Sequence, residues 1–420
     1  MQCRRRFFII VGNLPRQIQA PMQSTVTNAS PEQSARSGAA PLPHIGSKPR
    51  VLFLINSLAG GGAERVMCTL LRHSESLRGE FDMTLVLLDN EERANTPPEW
   101  LDVRQLDCAK SSFKSLLGVR KLIRELKPDV TVSFLTRANV VSVLNARGPC
   151  IISERANTAF HFPRTLGGFV LETTVRATYP FAARVIAVSE GVAGALRDQF
   201  GVPANRIVTI PNPVDIAAIN AFADEPPAVD FDGPFVLAVG RLIGPKNFAM
   251  LIRAFATSGI EGKLVIAGEG VERANLQRTA QVCGIADRVL LPGFMSNPYA
   301  LMRRAYAFVL SSSVEGFPNA LVEAMAAGAP VIATNCPSGP SEILAEAPRE
   351  YVSGLTFAKH GILTPMDDMD AMAEALRSLQ DKVRRDAYVE KARARAGDFA
   401  VAVAAARYWD VVREVLAERR

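Results

Sequence analysis

AFVLSSSVEGFPNALVEAMAAGAPVIAT, residues 307–334, contains the whole fold in miniature. An apolar run, a polar loop, a stretch of small helix-forming residues and a second apolar run (PVIAT) follow one another. Short apolar runs without polar alternation belong to strands covered on both faces, and two such strands joined through a helix lie parallel. The helix is predicted over 319–327: Pro318 suits a first turn, where its missing N–H is not needed, and Gly328 stands where a left-handed C-terminal residue is favoured. The first amides of that helix, Asn319 to Leu321, have no intrahelical acceptor and can hold an anion. Glu315 in the loop and Glu323, more than one turn into the helix, then grip different parts of one elongated ligand. An acid/base pair across a scissile bond is the competing idea, and Glu323 as an ordinary helix-surface charge is the plain one.

The same unit repeats on both sides. VLFLI (51–55), MTLVLL (83–88), VTVSFL (130–135), CIIS (150–153), VIAVS (185–189) and IVTIPN (207–212) alternate with helical patterns. A Pro-rich acidic stretch over 212–234 interrupts them, and FVLAVG (235–240), LVIAGEG (264–270), VLLPGF (289–294), AFVLSSS and PVIAT resume the rhythm. This predicts an α/β protein of two doubly wound parallel sheets with a linker, and ligands in such sheets bind beyond the carboxyl ends of the strands. The expected boundaries are a disordered leader over 1–48, a first domain over 49–215, a linker over 216–233 and a second domain over 234–400, with helix 401–420 free to pack on the first.

Composition excludes several classes. The 420 residues are 48% apolar and 21% charged, a soluble globular profile. Of the net charge of +6, all is carried by residues 1–50, which hold seven basic residues against Glu32; the remainder has 41 of each sign. Nucleic acid as the main partner therefore loses its compositional support. Cys3, Cys68, Cys108, Cys150, Cys283 and Cys336 form no C-x-x-C pair, so neither a zinc site nor a disulfide framework is indicated, and the cytoplasm is the expected location. No apolar run reaches the ~18–20 residues that span a bilayer. RRRFFIIVG at the N-terminus is too short for a secure signal peptide and reads as a leader, or as an overextended start ahead of Met22.

Two further loops carry chemistry. Gly60, Gly61 and Gly62 follow the opening strand and precede a helix, where glycines let backbone amides approach an anion. Counted from Gly60, the last glycine of a G-x-G-x-x-G fingerprint is replaced by Arg65, which weakens a dehydrogenase reading; a tight turn with no ligand is equally open. In AVGRLIGPKNF, Arg241 ends a strand and Lys246, five residues on, opens the next helix. A planar guanidinium fork and a compact ammonium can together neutralise a diphosphate; a solvated pair on a loop is the alternative.

These loops, taken with VSEGVAGALRDQFGVPANRIVTIPNPVD, AGEGVERANLQ and the E-x7-E element EGFPNALVE, resemble the retaining glycosyltransferases of family 4 from Arg50 onward. The resemblance implies the GT-B architecture, two facing Rossmann-like domains with a cleft between them. It implies that Arg241 and Lys246 hold the diphosphate of a nucleotide sugar. Glu315 would bind donor-sugar hydroxyls, Glu323 the ribose, and Phe317, Pro318, Asn319, Ala320 and Leu321 the phosphate region. Gly293 would lie by the base, and Gly60, Gly61 and Gly62 would face the donor from the other half. No cofactor and no metal are implied, the nucleotide sugar being a substrate. Many relatives carry a His after the strand that here reads CIISERANTAFHFPR. This chain has Glu154 and Arg155 there with His161 further on, and Arg155, Arg164 and Arg176 near Phe160 and Phe162 offer charge to an anionic acceptor.

ISERAN followed by RVIAVSEGVA is similar to the branch that adds N-acetylhexosamine-type sugars to polyprenyl-diphosphate-linked glycans, which implies a UDP-sugar donor and cell-surface glycan synthesis. SSFKSLLGVRKLIRELK (111–127) reads as a domain helix whose cations allow peripheral contact with an anionic membrane. A non-hydrolysing sugar-nucleotide epimerase and a non-catalytic sugar- or membrane-binding protein remain as alternatives.

Overall fold

The computed structural model describes residues 47–155, 162, 165–229 and 232–419, so the leader and His161 lie outside the described residues, apart from residues 47 and 48. The first sheet comprises β1 (Arg50–Ile55), β2 (Asp82–Leu87), β3 (Asp102–Gln105), β4 (Val130–Phe134), β5 (Cys150–Glu154), β6 (Arg184–Ala187) and β7 (Ile207–Thr209). Its spatial order is 3-2-1-4-5-6-7, with every pairing parallel. The second comprises β8 (Phe235–Val239), β9 (Lys263–Ala267), β10 (Val289–Gly293), β11 (Ala307–Leu310), β12 (Val331–Thr334), β13 (Thr356–Phe357) and β14 (Ile362–Thr364). It repeats the pattern as 10-9-8-11-12-14-13, and only the edge strand β13 runs antiparallel.

Helices α1 (Gly62–Arg72), α2 (Ser112–Leu126), α3 (Thr136–Asn145), α4 (Leu166–Thr178) and α5 (Glu190–Phe200) cover the first sheet. Then come α6 (Ile216–Asp224), α7 (Phe248–Ser258), α8 (Arg273–Val282), α9 (Tyr299–Arg304), α10 (Asn319–Ala327), α11 (Pro340–Leu344), α12 (Met369–Ser378), α13 (Lys382–Ala396) and α14 (Val401–Ala417). Local chemistry sets their ends. Ser189 accepts from the Val192 amide at the start of α5, and Gly201, at φ 68°, closes it in the left-handed conformation.

Each sheet reverses its strand order once, between β1 and β4 and between β8 and β11. Those are the crevices where a doubly wound sheet opens at its carboxyl edge. The loops that leave β1, β8 and β11 carry Gly60–Gly62, Arg241–Lys246 and Glu315–Pro318, so the topology brings the three sequence motifs to the two switch points.

The last helix returns to the first sheet. Trp409 of α14 stacks on Phe81 with centroids 4.7 Å apart, and its Nε1 donates to Ser74 Oγ at 2.8 Å. The Val214 amide donates to the Phe399 carbonyl at 2.8 Å, so the outgoing and returning crossings are tied together.

Three details depart from the sequence reading. The linker contains α6, whose Ile219 and Ala223 are buried against neighbouring helices; the prolines around it obscure this helical spacing. Strand β3 is almost entirely exposed and shows no apolar run, and α13 buries only Tyr388, Ala392 and Ala396. Neither carries the hydrophobic period that reveals a covered element. Among the described residues no helix is long and apolar enough to cross a membrane.

Candidate active site between the two sheets

Lys246 lies on a short 3-10 turn (Gly244–Lys246), and not on the following helix as its position in the sequence suggested. Its side chain folds back over Gly240, where an added Cβ would meet Lys246 Cε at 3.5 Å. From there Nζ donates to Glu315 Oε1 at 2.6 Å, and Ser312 Oγ donates to the same oxygen at 2.6 Å. The Ser313 amide bonds the Pro245 carbonyl at 2.8 Å and Ser311 Oγ bonds the Lys246 carbonyl at 2.8 Å, so the loops after β8 and β11 form one ledge. Arg241 stands beside it, exposed, with no ion pair among the described residues. Its charge reaches Glu64 of the opposite half.

Pro318 is the cap of α10 with no side-chain cap bond, as a bare N-terminus requires. The expectation of three free amides needs correction. The Asn319 amide turns back to the Phe317 carbonyl and the Leu321 amide to the Pro318 carbonyl, both at 3.0 Å, because the first turn is tightened. Ala320 keeps the one amide of the three with no hydrogen bond among the described residues. Phe317 is buried and packs edge-on against Phe399 with centroids 5.5 Å apart.

The triple glycine faces this helix start. A Cβ at Gly62 would lie 2.7 Å from Asn319 Nδ2, so the two halves meet at the width of a glycine. Asn212 Nδ2 donates to Asn319 Oδ1 at 2.7 Å from the other side. The loop is not an empty anion cradle, however. The Glu64 carboxylate folds back over Gly61, where an added Cβ would be 2.4 Å from Oε2, and bonds its own backbone amide. Burial pushes this carboxyl up, against the opposing pull of that amide and of Arg241 and Arg155.

Glu323 also has a partner that the sequence did not reveal. Arg65 of α1 crosses the cleft to it and reaches the Tyr299 hydroxyl at 3.4 Å. Burial raises the Glu323 carboxyl and Arg65 offsets part of the rise. In the sequence Arg65 registered only as the residue that spoils a glycine fingerprint; its length and charge at a switch point were the available signal.

On the second sheet's far side, the backbone at Gly293 has φ 93° and its carbonyl accepts from the Gly268 amide at 2.7 Å. Gly268 has φ 146°, and a Cβ there would come within 1.9 Å of the Gly240 carbonyl oxygen, so the loops after β8, β9 and β10 are pressed together. Cys336 lies in the field of Glu315 and Lys246, its thiol pushed up to about 12 chiefly by burial. Among the described residues no cluster of three or more His, Cys, Asp or Glu side chains is gathered to hold a metal.

Two adjoining family models match, "Glycosyltransferase Family 4" over residues 60–218 and "Glycosyl transferases group 1" over 222–395. The N-acetylgalactosamine-N,N'-diacetylbacillosaminyl-diphospho-undecaprenol 4-alpha-N-acetylgalactosaminyltransferase of Campylobacter jejuni is 30% identical over 363 residues, 83% of this chain and 94% of the relative. This chain is a family 4 glycosyltransferase. A second Campylobacter jejuni enzyme, a GalNAc-alpha-(1->4)-GalNAc-alpha-(1->3)-diNAcBac-PP-undecaprenol alpha-1,4-N-acetyl-D-galactosaminyltransferase, is 27% identical over 390 residues, 87% of this chain and 99% of that one. The GT-B fold has a solved counterpart in HepE of Anabaena, crystallised with UDP, at a TM-score of 0.68 and 21% identity over 87% of this chain and 100% of that one. In this glycosyltransferase, then, the start of α10, which follows the Lys246–Glu315 ledge on the same half, faces Gly62 of α1 across a glycine-wide gap.

Proposed function

We propose that this glycosyltransferase moves an N-acetylhexosamine-type sugar from UDP to a polyprenyl-diphosphate-linked glycan, with retention of configuration and without a metal, in cell-surface glycan synthesis. The observation that carries the reading is the shared ledge: Lys246 and Glu315 in contact, Arg241 beside them, and the α10 terminus opposite Gly62. Names of the two Campylobacter relatives support the acceptor class and the sugar type, and the HepE complex supports UDP.

Arg241 and Lys246 take the donor diphosphate, with the Ala320 amide as a further donor. They stabilise the charge that grows on UDP as the C1–O bond breaks. Glu315 is held by Lys246 and Ser312 at one oxygen, which leaves its carboxylate oriented toward donor-sugar hydroxyls and toward the positive charge on the ring. Glu323 takes the ribose hydroxyls, which requires Arg65 to release or share it. The acceptor hydroxyl attacks from the face UDP leaves, its proton passing to a donor phosphate oxygen as the new C–O bond forms. Holding both reactants in register between the sheets is the main demand on the protein.

The work is placed at the cytoplasmic face of the membrane. Helix α2 buries Val119, Leu122 and Ile123, while Phe113 and Leu117 are exposed among its cations. Mixing the enzyme with UDP-N-acetylhexosamines and polyprenyl-diphosphate-linked glycans in the presence of a chelator should release UDP and yield an α-linked product by NMR. A β-linked product, or epimerised donor with no acceptor present, would contradict the reading.

A further inference from the structure

Arg155 leaves the carboxyl end of β5 on the half opposite the diphosphate ledge. Its guanidinium is fixed from two directions. Nη1 donates to Tyr408 Oη at 2.7 Å and to Ser153 Oγ at 3.3 Å, so the returning helix α14 anchors that nitrogen. The Phe134 ring lies beneath, with Cζ 4.4 Å from its centroid. What remains is the Nε and Nη2 edge. Both atoms are buried and have no hydrogen-bond partner among the described residues.

That edge is the side of a guanidinium that binds two oxygens of one oxyanion in parallel. Leaving it unpaired in a buried place costs stability, and a buried unpaired donor in a folded protein calls for an occupant. The nearby carboxylates do not serve. Glu154 accepts from the Tyr179 hydroxyl at 2.6 Å and from the Arg155 amide at 3.2 Å, and Glu64 is turned onto its own helix terminus. Both act on the Arg155 guanidinium only through their fields, and no carboxylate among the described residues forms an ion pair with it. Burial meanwhile holds the guanidinium below its ordinary range, as expected of a cation waiting for its counter-charge.

We infer that the Nε/Nη2 edge of Arg155 is an oxyanion-binding fork for the acceptor, taking a sugar carboxylate or a phosphate through two oxygens at once. This rests on the transferase reading above and deepens it by naming an acceptor group. Arg155 belongs to the acceptor half and stands near the triple-glycine loop, since Glu64 lies in the fields of both Arg155 and Arg241. Tyr408 and Phe134 hold it rigid, so little ordering remains to oppose binding.

The test uses the full chain saturated with UDP, so that added anions cannot settle on the diphosphate ledge. Methyl glucuronide and inorganic phosphate are titrated separately, and the stronger binder tells a carboxylate from a phosphate acceptor. Arg155→Lys keeps the charge and loses the fork; it should weaken the preferred probe about tenfold or more while UDP affinity stays as in the wild type. Tyr408→Phe, which frees Nη1 without touching the fork, should weaken it by a smaller factor and guards against a folding failure of the first variant. Failure of both probes to bind the UDP-saturated protein, or equal binding by wild type and Arg155→Lys, would overturn the fork. Failure of UDP to bind at all would instead strike the transferase reading.

Discussion

Arg65, in the first turn of α1, donates across the cleft to Glu323, in the second turn of α10, and so joins the two sheets at the carboxylate assigned to the donor ribose. The pair is asymmetric: the Arg65 side chain is 44% exposed and the Glu323 side chain 11%. Removing the arginine strands a buried carboxylate, whereas neutralising the carboxylate leaves an arginine that water can reach. Arg65→Ala should therefore destabilise the ligand-free protein by about 1–2 kcal/mol, discounted for the exposed partner, and Glu323→Gln by less. The double variant should recover part of the loss in urea unfolding. Strict additivity would show that the contact carries no coupling.

A second expectation concerns the pressed loops behind the ledge. Gly268 has a φ that side chains rarely adopt and no room for a Cβ beside the Gly240 carbonyl. Gly268→Ala should cost about 2–5 kcal/mol through strain and overpacking together. A midpoint of thermal unfolding equal to that of the wild type would show that the loops after β8 and β9 are looser than described.

Acid titration offers an independent check on the body of the second half. Lys359 at 2.9 Å and His360 at 3.0 Å both bond the Glu346 carboxylate and hold it down to about 2 from an ordinary 4.5. A depressed folded value means the carboxylate contributes stability above its unfolded value, and that the contribution fades as pH falls from about 4.5 through about 2. Glu346→Gln should accordingly melt below the wild type at pH 7, and the gap should close toward pH 2. A gap of constant size across that window would mean the ion pairs are not what links them.

The fold was legible because most central strands are largely apolar runs, as in VLFLI and AFVL, and the loops between them carry their glycines and prolines openly. Elements that bury little, β3 and α13, were not, since exposed backbone leaves no hydrophobic period to read. At the site, residue types and loop positions pointed to Arg241, Lys246 and Glu315, but their partners did not follow from spacing. Lys246 to Glu315 is a contact across 69 residues and Arg65 to Glu323 one across 258, and no local pattern encodes either. Arg155 was noted for its charge and for its place after the CIIS strand, where many relatives carry a His; the fixed Nη1 arises from Tyr408, which α14 brings back from the far end of the chain.

The most direct measurement is the affinity for UDP, by calorimetry, of the wild type and of Arg241→Ala. Arg241 is exposed and unpaired among the described residues, so its removal should leave the melting temperature unchanged and isolate its effect on the ligand. If guanidinium, ammonium and helix terminus converge on one diphosphate, the variant should bind UDP about tenfold or more weakly, and the difference should shrink with added salt. Equal affinity in the two proteins would contradict the account at its centre.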